Sequence, residues 1–244
     1  MRVNQPVIDL LGAPNGPRTS QLLFGESFAV EKVEGALSYG RTECGYKGWL
    51  HSAALAEPRA ASHYVNALAT FVYAKPDMKS EVRLRLPFKA LVKIIKFEGE
   101  FVKLPEGYVF AQHVSPLPTL PTTRPDYTAI AERFMGIPYL WGGRSSLGID
   151  CSGLAQMALN AVGLAAPRDS GPQSAAIGTA LPLDAALERG DLVFWKGHVG
   201  LMQNAETLLH ATSFSMSVIS EPLATTVARV AAQGNGDITA IRRV

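Results

Sequence analysis

The stretch Ile149-Asp150-Cys151-Ser152-Gly153-Leu154 places a cysteine where a helix is expected to begin. The residues from Leu154 to Val162 are apolar and rich in alanine at helical spacing, which predicts a helix that starts at the cysteine. Unpaired N–H groups and the positive dipole end at a helix start favour a thiolate over a thiol. The pattern therefore predicts a nucleophilic Cys151 whose pKa is lowered from the ordinary value of about 8.5.

Two histidines that follow the cysteine are the candidates for its base. His198 begins one apolar, strand-like segment, and His210 lies near the end of the next. Neighbouring antiparallel strands can bring the two imidazoles together, and an unperturbed pKa near 6.5 suits proton exchange with a thiol. We expect Cys151 to attack, His198 to act as base and then acid, and His210 to fix the tautomer of His198. A thiolate–imidazolium pair of this kind predicts a bell-shaped dependence of rate on pH.

Composition and charge narrow the class of protein. A formal net charge of +2 on 244 residues, with no basic stripe, gives no reason to expect nucleic acid or an anionic membrane as partner. The sequence has no long apolar run that could span a membrane, and its N-terminal residues lack the apolar core of a signal peptide. A cytoplasmic protein with two free thiols, Cys44 and Cys151, is therefore expected. No cofactor is expected, and the sequence leaves the oligomeric state open.

Short strand-like segments separated by turn residues fill the first half of the chain, in two sets. The first set ends in Gly45-Tyr46-Lys47-Gly48-Trp49 and resembles bacterial SH3-like modules, in which such a string closes a small barrel. The second set contains the hairpin signal Glu98-Gly99-Glu100 and ends in the similar string Gly107-Tyr108-Val109-Phe110. We expect an SH3-like β-barrel over residues 1–57 and a second, degenerate one over residues 58–115.

A different organisation is predicted for the rest of the chain. Residues 116–125 contain four prolines, which predicts an extended linker. In residues 126–244, three helical segments precede a series of short apolar strands: one from Asp126 to Phe134, that of Cys151, and a short one that starts at Arg168–Gln173. Helices followed by an antiparallel sheet predict an α+β domain.

Six strings in a fixed order together resemble the NlpC/P60 cysteine peptidases. They are Tyr139-Leu140-Trp141-Gly142-Gly143, Asp150-Cys151-Ser152-Gly153-Leu154, Arg168-Asp169-Ser170, Gly190-Asp191-Leu192-Val193-Phe194, His198-Val199-Gly200 and His210-Ala211. The resemblance implies an α+β fold in which a papain-like NlpC/P60 catalytic domain is preceded by two small SH3-like β-barrels. It also implies a Cys-His-His site formed by Cys151, His198 and His210.

The resemblance also implies a substrate and the residues that contact it. Two SH3-like modules before the catalytic domain are similar to the cytoplasmic γ-D-glutamyl-L-diamino acid endopeptidases of murein recycling. These cleave cell-wall (murein) peptides between D-glutamate and a diamino acid and hold a free N-terminal L-Ala at the domain interface. By the same likeness, the substrate-binding residues are Tyr139 at the oxyanion site, Asp150 and Ser152 beside the nucleophile, and Asp169 with Ser170 against the substrate backbone or amine. Glu43 and Tyr46 are the candidates in the first barrel for the substrate ammonium.

Three alternatives remain at this stage. Cys151, His198 and His210 could ligate zinc, but no closely spaced pair of ligands is present, so no metal is expected. The SH3-like segments could make the protein a wall- or peptide-binding module with a degenerate cysteine site. A Cys-His amidase or acyltransferase could use the same catalytic core, and product analysis would separate it from a peptidase.

Overall fold

Antiparallel strands that change direction at turn residues build the first of two compact units of the chain. A computed structural model describes residues 1–234 and 236–244. The first unit comprises Met1–Pro118 with Arg144–Ser146, and the second comprises Thr119–Gly143 with Leu147–Val244. The boundary between them therefore falls inside the predicted proline-rich linker, residues 116–125.

The first seven strands form an SH3-like arrangement. They are β1 (Arg2–Val3), β2 (Val7–Leu11), β3 (Arg18–Leu23), β4 (Phe28–Glu34), β5 (Leu37–Thr42), β6 (Lys47–His51) and β7 (Leu55–Ala56), with a 3-10 turn at Ser52–Ala54. A five-stranded sheet has the order β3-β2-β6-β5-β4, and β1 pairs with β7. Its buried core includes Leu10, Phe28 and Leu50. Trp49 of the predicted closing string is buried, and its ring packs 5.1 Å from that of Tyr39.

The second set of strands repeats this pattern. It comprises β8 (His63–Val65), β9 (Ala69–Tyr73), β10 (Val82–Pro87), β11 (Leu91–Val92), β12 (Lys96–Glu98), β13 (Phe101–Leu104), β14 (Gly107–Phe110) and β15 (Val114–Pro116), with a 3-10 turn at Ala111–His113. The sheets have the orders β10-β9-β14-β13-β12 and β11-β8-β15. The predicted hairpin at Glu98-Gly99-Glu100 is confirmed, because β12 and β13 pair across it and Gly99 has a φ of 62°.

One short strand of the first unit comes from a distant part of the sequence. This strand, β16 (Arg144–Ser145), lies within the predicted catalytic segment 126–244, yet it groups with the first unit. The buried guanidinium of Arg144 makes two hydrogen bonds to the carboxylate of Glu26, at 2.9 and 3.0 Å, and another at 2.8 Å to the carbonyl of Gln21. Because of these charge-assisted bonds, residues 144–146 group with the first unit, although the sequence pattern places them in the catalytic segment 126–244.

The second unit combines helices with one large antiparallel sheet. Its elements are α1 (Tyr127–Glu132), β17 (Gly148–Ile149), α2 (Cys151–Ala161), α3 (Ser170–Ala176), β18 (Thr179–Leu181), β19 (Leu192–Trp195), β20 (His198–Met202), β21 (Thr207–Thr212), β22 (Ser217–Pro222), α4 (Leu223–Ala232) and β23 (Ala240–Arg243). The sheet has the order β18-β23-β19-β20-β21-β22. The predicted α+β class is confirmed.

Helix α2 is the buried element that the sheet supports. It contacts strands β20 and β21 as well as helix α1, and only Asn160 among its residues is not buried.

Helix α4 has no counterpart among the predicted elements. It packs Leu223, Val227 and Val230 against a cluster that contains Val193 and Trp195. Within residues 1–234 and 236–244, no helix is both long and apolar enough to cross a membrane.

Candidate active site

Helix α2 begins at Cys151 because the preceding residue caps it. The Asp150 carboxylate accepts a 2.7 Å hydrogen bond from the N–H of Gly153, which satisfies one of the unpaired N–H groups of the first turn. Position 153 has no room for a side chain. A Cβ at this position would lie 2.4 Å from the carbonyl oxygen of Gly143, so the helix start lies directly against the preceding loop.

A buried ion pair fixes this helix start. Arg168, 3% exposed, donates hydrogen bonds of 3.0 and 2.6 Å to the two oxygens of Asp150, and one of 2.9 Å to Ser152 Oγ. The N–H of Gly142 donates to the same carboxylate at 2.8 Å. Asp150 and Ser152 are thus both buried and both bound to Arg168, in a network that positions the nucleophile. Their predicted contact with substrate stays a prediction.

The Cys151 sulfur lies against the backbone on either side of His198. Its Sγ is 4.0 Å from the carbonyl oxygen of Gly197, and it accepts hydrogen bonds from the N–H groups of Val199 and Ser152. Burial, with the Asp150 carboxylate as the second cause, nevertheless raises the pKa of the thiol to about 11. The expectation of a lowered thiol pKa was therefore wrong for this structure, because desolvation outweighs the N–H groups at the helix start.

Strands β20 and β21 bring the two predicted histidines into contact. The His198 Nε2 and His210 Nδ1 atoms are 2.8 Å apart, and their ring centroids are 5.1 Å apart. His210 is 1% exposed, whereas His198 is only partly buried. The structure thus brings His198 and His210 together, and the Cys151 sulfur contacts the backbone of the two residues that flank His198.

Beyond His210 the structure adds a residue that the sequence did not single out. Glu221 Oε1 lies 2.8 Å from His210 Nε2 and accepts a 2.9 Å hydrogen bond from Thr226 Oγ1. Arg229 binds both carboxylate oxygens of Glu221, one of them at 2.9 Å. The pKa of Glu221 is lowered to about 2, first by Arg229, so the carboxylate is charged and can only accept hydrogen bonds.

This chain of hydrogen bonds assigns the tautomers of both histidines. Because Glu221 accepts, the proton of neutral His210 is on Nε2 and its Nδ1 is an acceptor. His198 must then donate from Nε2, which leaves its Nδ1 without a proton and available as a base. Burial first, and His210 second, lower the pKa of His198 to about 3, and burial also lowers the pKa of His210. The resting site therefore contains a neutral thiol and a neutral imidazole.

The remaining predicted residues are Tyr139, Asp169 and Ser170 in the second unit and Glu43 and Tyr46 in the first. Tyr139 is partly buried, and burial followed by the charges of Cys151 and Asp150 raises the pKa of its hydroxyl, which remains an O–H donor at neutral pH. Asp169 is exposed just before α3, and Ser170, its first residue, is buried. In the first unit, Glu43 is exposed and Tyr46 packs partly against the barrel core. Their predicted contacts with substrate stay predictions.

The part of the chain that the structure describes offers no competing metal centre. No group of three or more His, Cys, Asp or Glu side chains among residues 1–234 and 236–244 is arranged to hold an ion. The second nitrogen of His210 is bound to Glu221, and the near nitrogen of His198 is bound to His210. These contacts describe a proton relay more closely than a set of ligands pointing at one centre.

Comparisons with family models and known proteins show what the chain is similar to. Residues 136–232 match the model of the NlpC/P60 family, and residues 10–55 match that of the bacterial dipeptidyl-peptidase SH3 domain. The gamma-D-glutamyl-L-lysine dipeptidyl-peptidase of Bacillus subtilis is 30% identical over 223 residues, which cover 82% of this chain and 74% of that protein. A protein of the same name from Bacillus cereus is 28% identical, over 84% of this chain and 71% of its own length.

The fold has a counterpart among solved structures. An NlpC/P60 family protein from Bacillus cereus superposes with a TM-score of 0.83, covering 99% of this chain and 98% of its own, at 21% identity. At 21% identity, the structural similarity establishes only the fold. The family is established by the 30% sequence identity to the Bacillus subtilis protein. The chain therefore belongs to the NlpC/P60 family of peptidases, with a bacterial SH3 domain in its N-terminal part.

Proposed function

We propose that the protein is a cysteine peptidase that hydrolyses the bond between γ-D-glutamate and a diamino acid in cell-wall peptides that have a free N-terminal L-Ala. The observation that carries the proposal is the Glu221–His210–His198 relay, in which His198 lies between Gly197 and Val199, the residues whose backbone contacts the sulfur of Cys151. The bond is suggested by two relatives that are named gamma-D-glutamyl-L-lysine dipeptidyl-peptidases. Release of a dipeptide, as their name states, requires a free amino end.

The Cys151 thiol and the His198 imidazole are both neutral at rest, so the first chemical step must include a proton transfer between them. The Cys151 thiol gives its proton to His198 Nδ1 as the sulfur attacks the carbonyl carbon of D-glutamate, and the carbonyl electrons move onto oxygen. The main-chain N–H of Cys151 at the start of α2 and the Tyr139 hydroxyl are the donors proposed for that oxyanion. Such a donor is worth about 3 kcal/mol in related sites. The Tyr139 hydroxyl suits the role because it stays protonated.

Collapse of the intermediate uses the same proton. The bond to the diamino acid breaks, its nitrogen takes the proton from His198, and a thioester remains on Cys151. Water then attacks the thioester and gives a proton to His198. When the carbon–sulfur bond breaks, the released Cys151 thiolate takes that proton from His198. The cationic form of His198 exists only during these steps, when Glu221 stabilises it through His210.

Product analysis tests the proposal directly. The protein is incubated with L-Ala-γ-D-Glu-L-Lys and with L-Ala-γ-D-Glu-diaminopimelate peptides, and L-Ala-γ-D-Glu is measured by mass spectrometry. We expect release by the wild type and by Cys44→Ser, which changes the exposed second thiol, and none by Cys151→Ala. N-terminal acetylation of the peptides should also stop release. Equal release by wild type and Cys151→Ala would overturn the proposal, and transfer of the acyl group to an added amine without hydrolysis would identify an acyltransferase.

A further inference from the structure

A pocket of ≈ 340 Å³ in the second unit adjoins the histidine relay. His198, His210 and Tyr139 form part of its wall, whereas Cys151, Asp169 and Ser170 do not. In the proposed reaction His198 delivers a proton to the nitrogen of the departing diamino acid, so that residue must lie against His198. The pocket therefore lies on the side of the leaving group, and this assignment depends on the proposed function.

The walls of the pocket are partly apolar. Trp141 and Phe214, which are 67% and 63% exposed, both line it, together with Val230 of α4. Large exposed aromatic side chains beside a catalytic site offer surface to an aliphatic chain. The four methylene or methine groups in the side chain of lysine or diaminopimelate match such a wall.

The charged side chains that line the pocket are basic. Lys196 and Arg229 line it, and no Asp or Glu does. The charge of Arg229 is compensated by Glu221, to which both ends of its guanidinium are bound. Lys196, at the exposed turn between β19 and β20, forms no ion pair with any residue in the described ranges 1–234 and 236–244. The uncompensated charge in the pocket is therefore that of Lys196.

We propose that this pocket receives the side chain of the leaving diamino acid and that Lys196 selects a side chain ending in a carboxylate. Diaminopimelate ends in an amino and a carboxylate group with no net charge, whereas lysine ends in an ammonium that Lys196 repels. A single partly exposed charge changes such a preference by about tenfold. The protein is thus a peptidase that prefers diaminopimelate over lysine at the leaving position.

Three peptides that differ only at this side chain test the assignment. They carry diaminopimelate, diaminopimelate amidated on its side-chain carboxylate, or lysine after L-Ala-γ-D-Glu, and kcat/KM is measured for each. The amidated peptide keeps the size of diaminopimelate but has the charge of lysine. We expect the wild type to prefer unmodified diaminopimelate about tenfold over both others, with the preference falling as salt is added.

Charge variants at one position complete the experiment. Lys196→Met should bring the three kcat/KM values close together, and Lys196→Glu should reverse the order in favour of lysine. Lys79→Glu makes the same charge change at an exposed site of the first unit and should leave the wild-type preference intact. Failure of the wild type to cleave any of the peptides would overturn the proposed function. Cleavage with the same ratios in wild type and Lys196→Glu, or equal use of the amidated peptide, would overturn the role of Lys196 alone.

Discussion

Glu221 Oε1 lies 2.8 Å from His210 Nε2, on the side of the ring opposite the nitrogen that contacts His198. This contact follows from strand register. His210 pairs with Ile219 and Leu208 pairs with Glu221 across β21 and β22, so Glu221 is the diagonal neighbour of His210 on one face of the sheet. A carboxylate at that position holds the proton of His210 on Nε2, and through it sets which nitrogen of His198 is the base.

Glu221→Gln tests this positioning role. The amide can turn its N–H₂ toward His210, which allows the other tautomer and removes the charge that stabilises cationic His198. We expect kcat to fall about 10²-fold with little change in KM. Glu221→Asp should recover part of the loss.

Stability must be measured on the same variant. Loss of the Glu221 charge leaves Arg229, 14% exposed at its side chain, without its partner and should destabilise the fold by about 1–3 kcal/mol. Glu206→Gln changes an exposed glutamate of the same unit and is the matched control. If Glu221→Gln lowers the free energy of unfolding but leaves kcat within twofold of the wild type, Glu221 supports only the fold.

Cys151, His198 and His210 could be predicted because helical and strand periodicity place each of them, and because their order matches that of a known family. Glu221 could not, since its contact depends on the register between β21 and β22, which no local pattern reveals. Helix α4 was missed for a different reason. Thr225, Thr226 and Val227 are β-branched and lower helix propensity, while packing on Trp195 stabilises the helix in the folded chain.

The lowered thiol pKa was predicted from the helix start alone. The sequence shows that Cys151 begins a helix, and α2 does begin there. It does not show how deeply the sulfur is buried, and desolvation is the larger effect in the folded chain. Burial depends on the contacts of α2 with β20 and β21, which form only when the sheet is assembled.

Asp150→Asn distinguishes a structural role from a substrate contact. The change leaves Arg168, 3% exposed, facing a neutral amide, and a buried charge that loses its partner costs about 3–5 kcal/mol. We expect a marked fall in the free energy of unfolding, measured with urea, and a loss of kcat as the helix start moves. A variant of wild-type stability whose KM alone has risen would instead show that Asp150 contacts substrate.

Gly153→Ala tests the close approach of α2 to the loop before it. The new Cβ would lie 2.4 Å from the Gly143 carbonyl oxygen, which is backbone and cannot rotate away, so the first turn of α2 must shift. Such a shift moves Cys151, and a displacement of about 1 Å can cost 10²-fold in rate. Gly171→Ala in α3 meets nothing within 4 Å and should keep wild-type activity and stability. Comparable kcat/KM values for the two variants would contradict the proposed constraint.

The pH dependence of alkylation tests the neutral resting pair. Iodoacetamide reacts with the thiolate, and a pKa of about 11 leaves on the order of one Cys151 in ten thousand ionised at pH 7. In Cys44→Ser, which isolates Cys151, the alkylation rate should rise about tenfold per pH unit from pH 7 and level off only near pH 11. Because burial lowers the pKa of His198 to about 3, it stays neutral from pH 5 to 9. We therefore expect kcat/KM to be nearly flat over that range, in place of the bell-shaped dependence that a thiolate–imidazolium pair predicts. Alkylation that is half-maximal below pH 8, with an acid limb in kcat/KM at the same pH, would show instead that thiolate and imidazolium already exist in the resting enzyme.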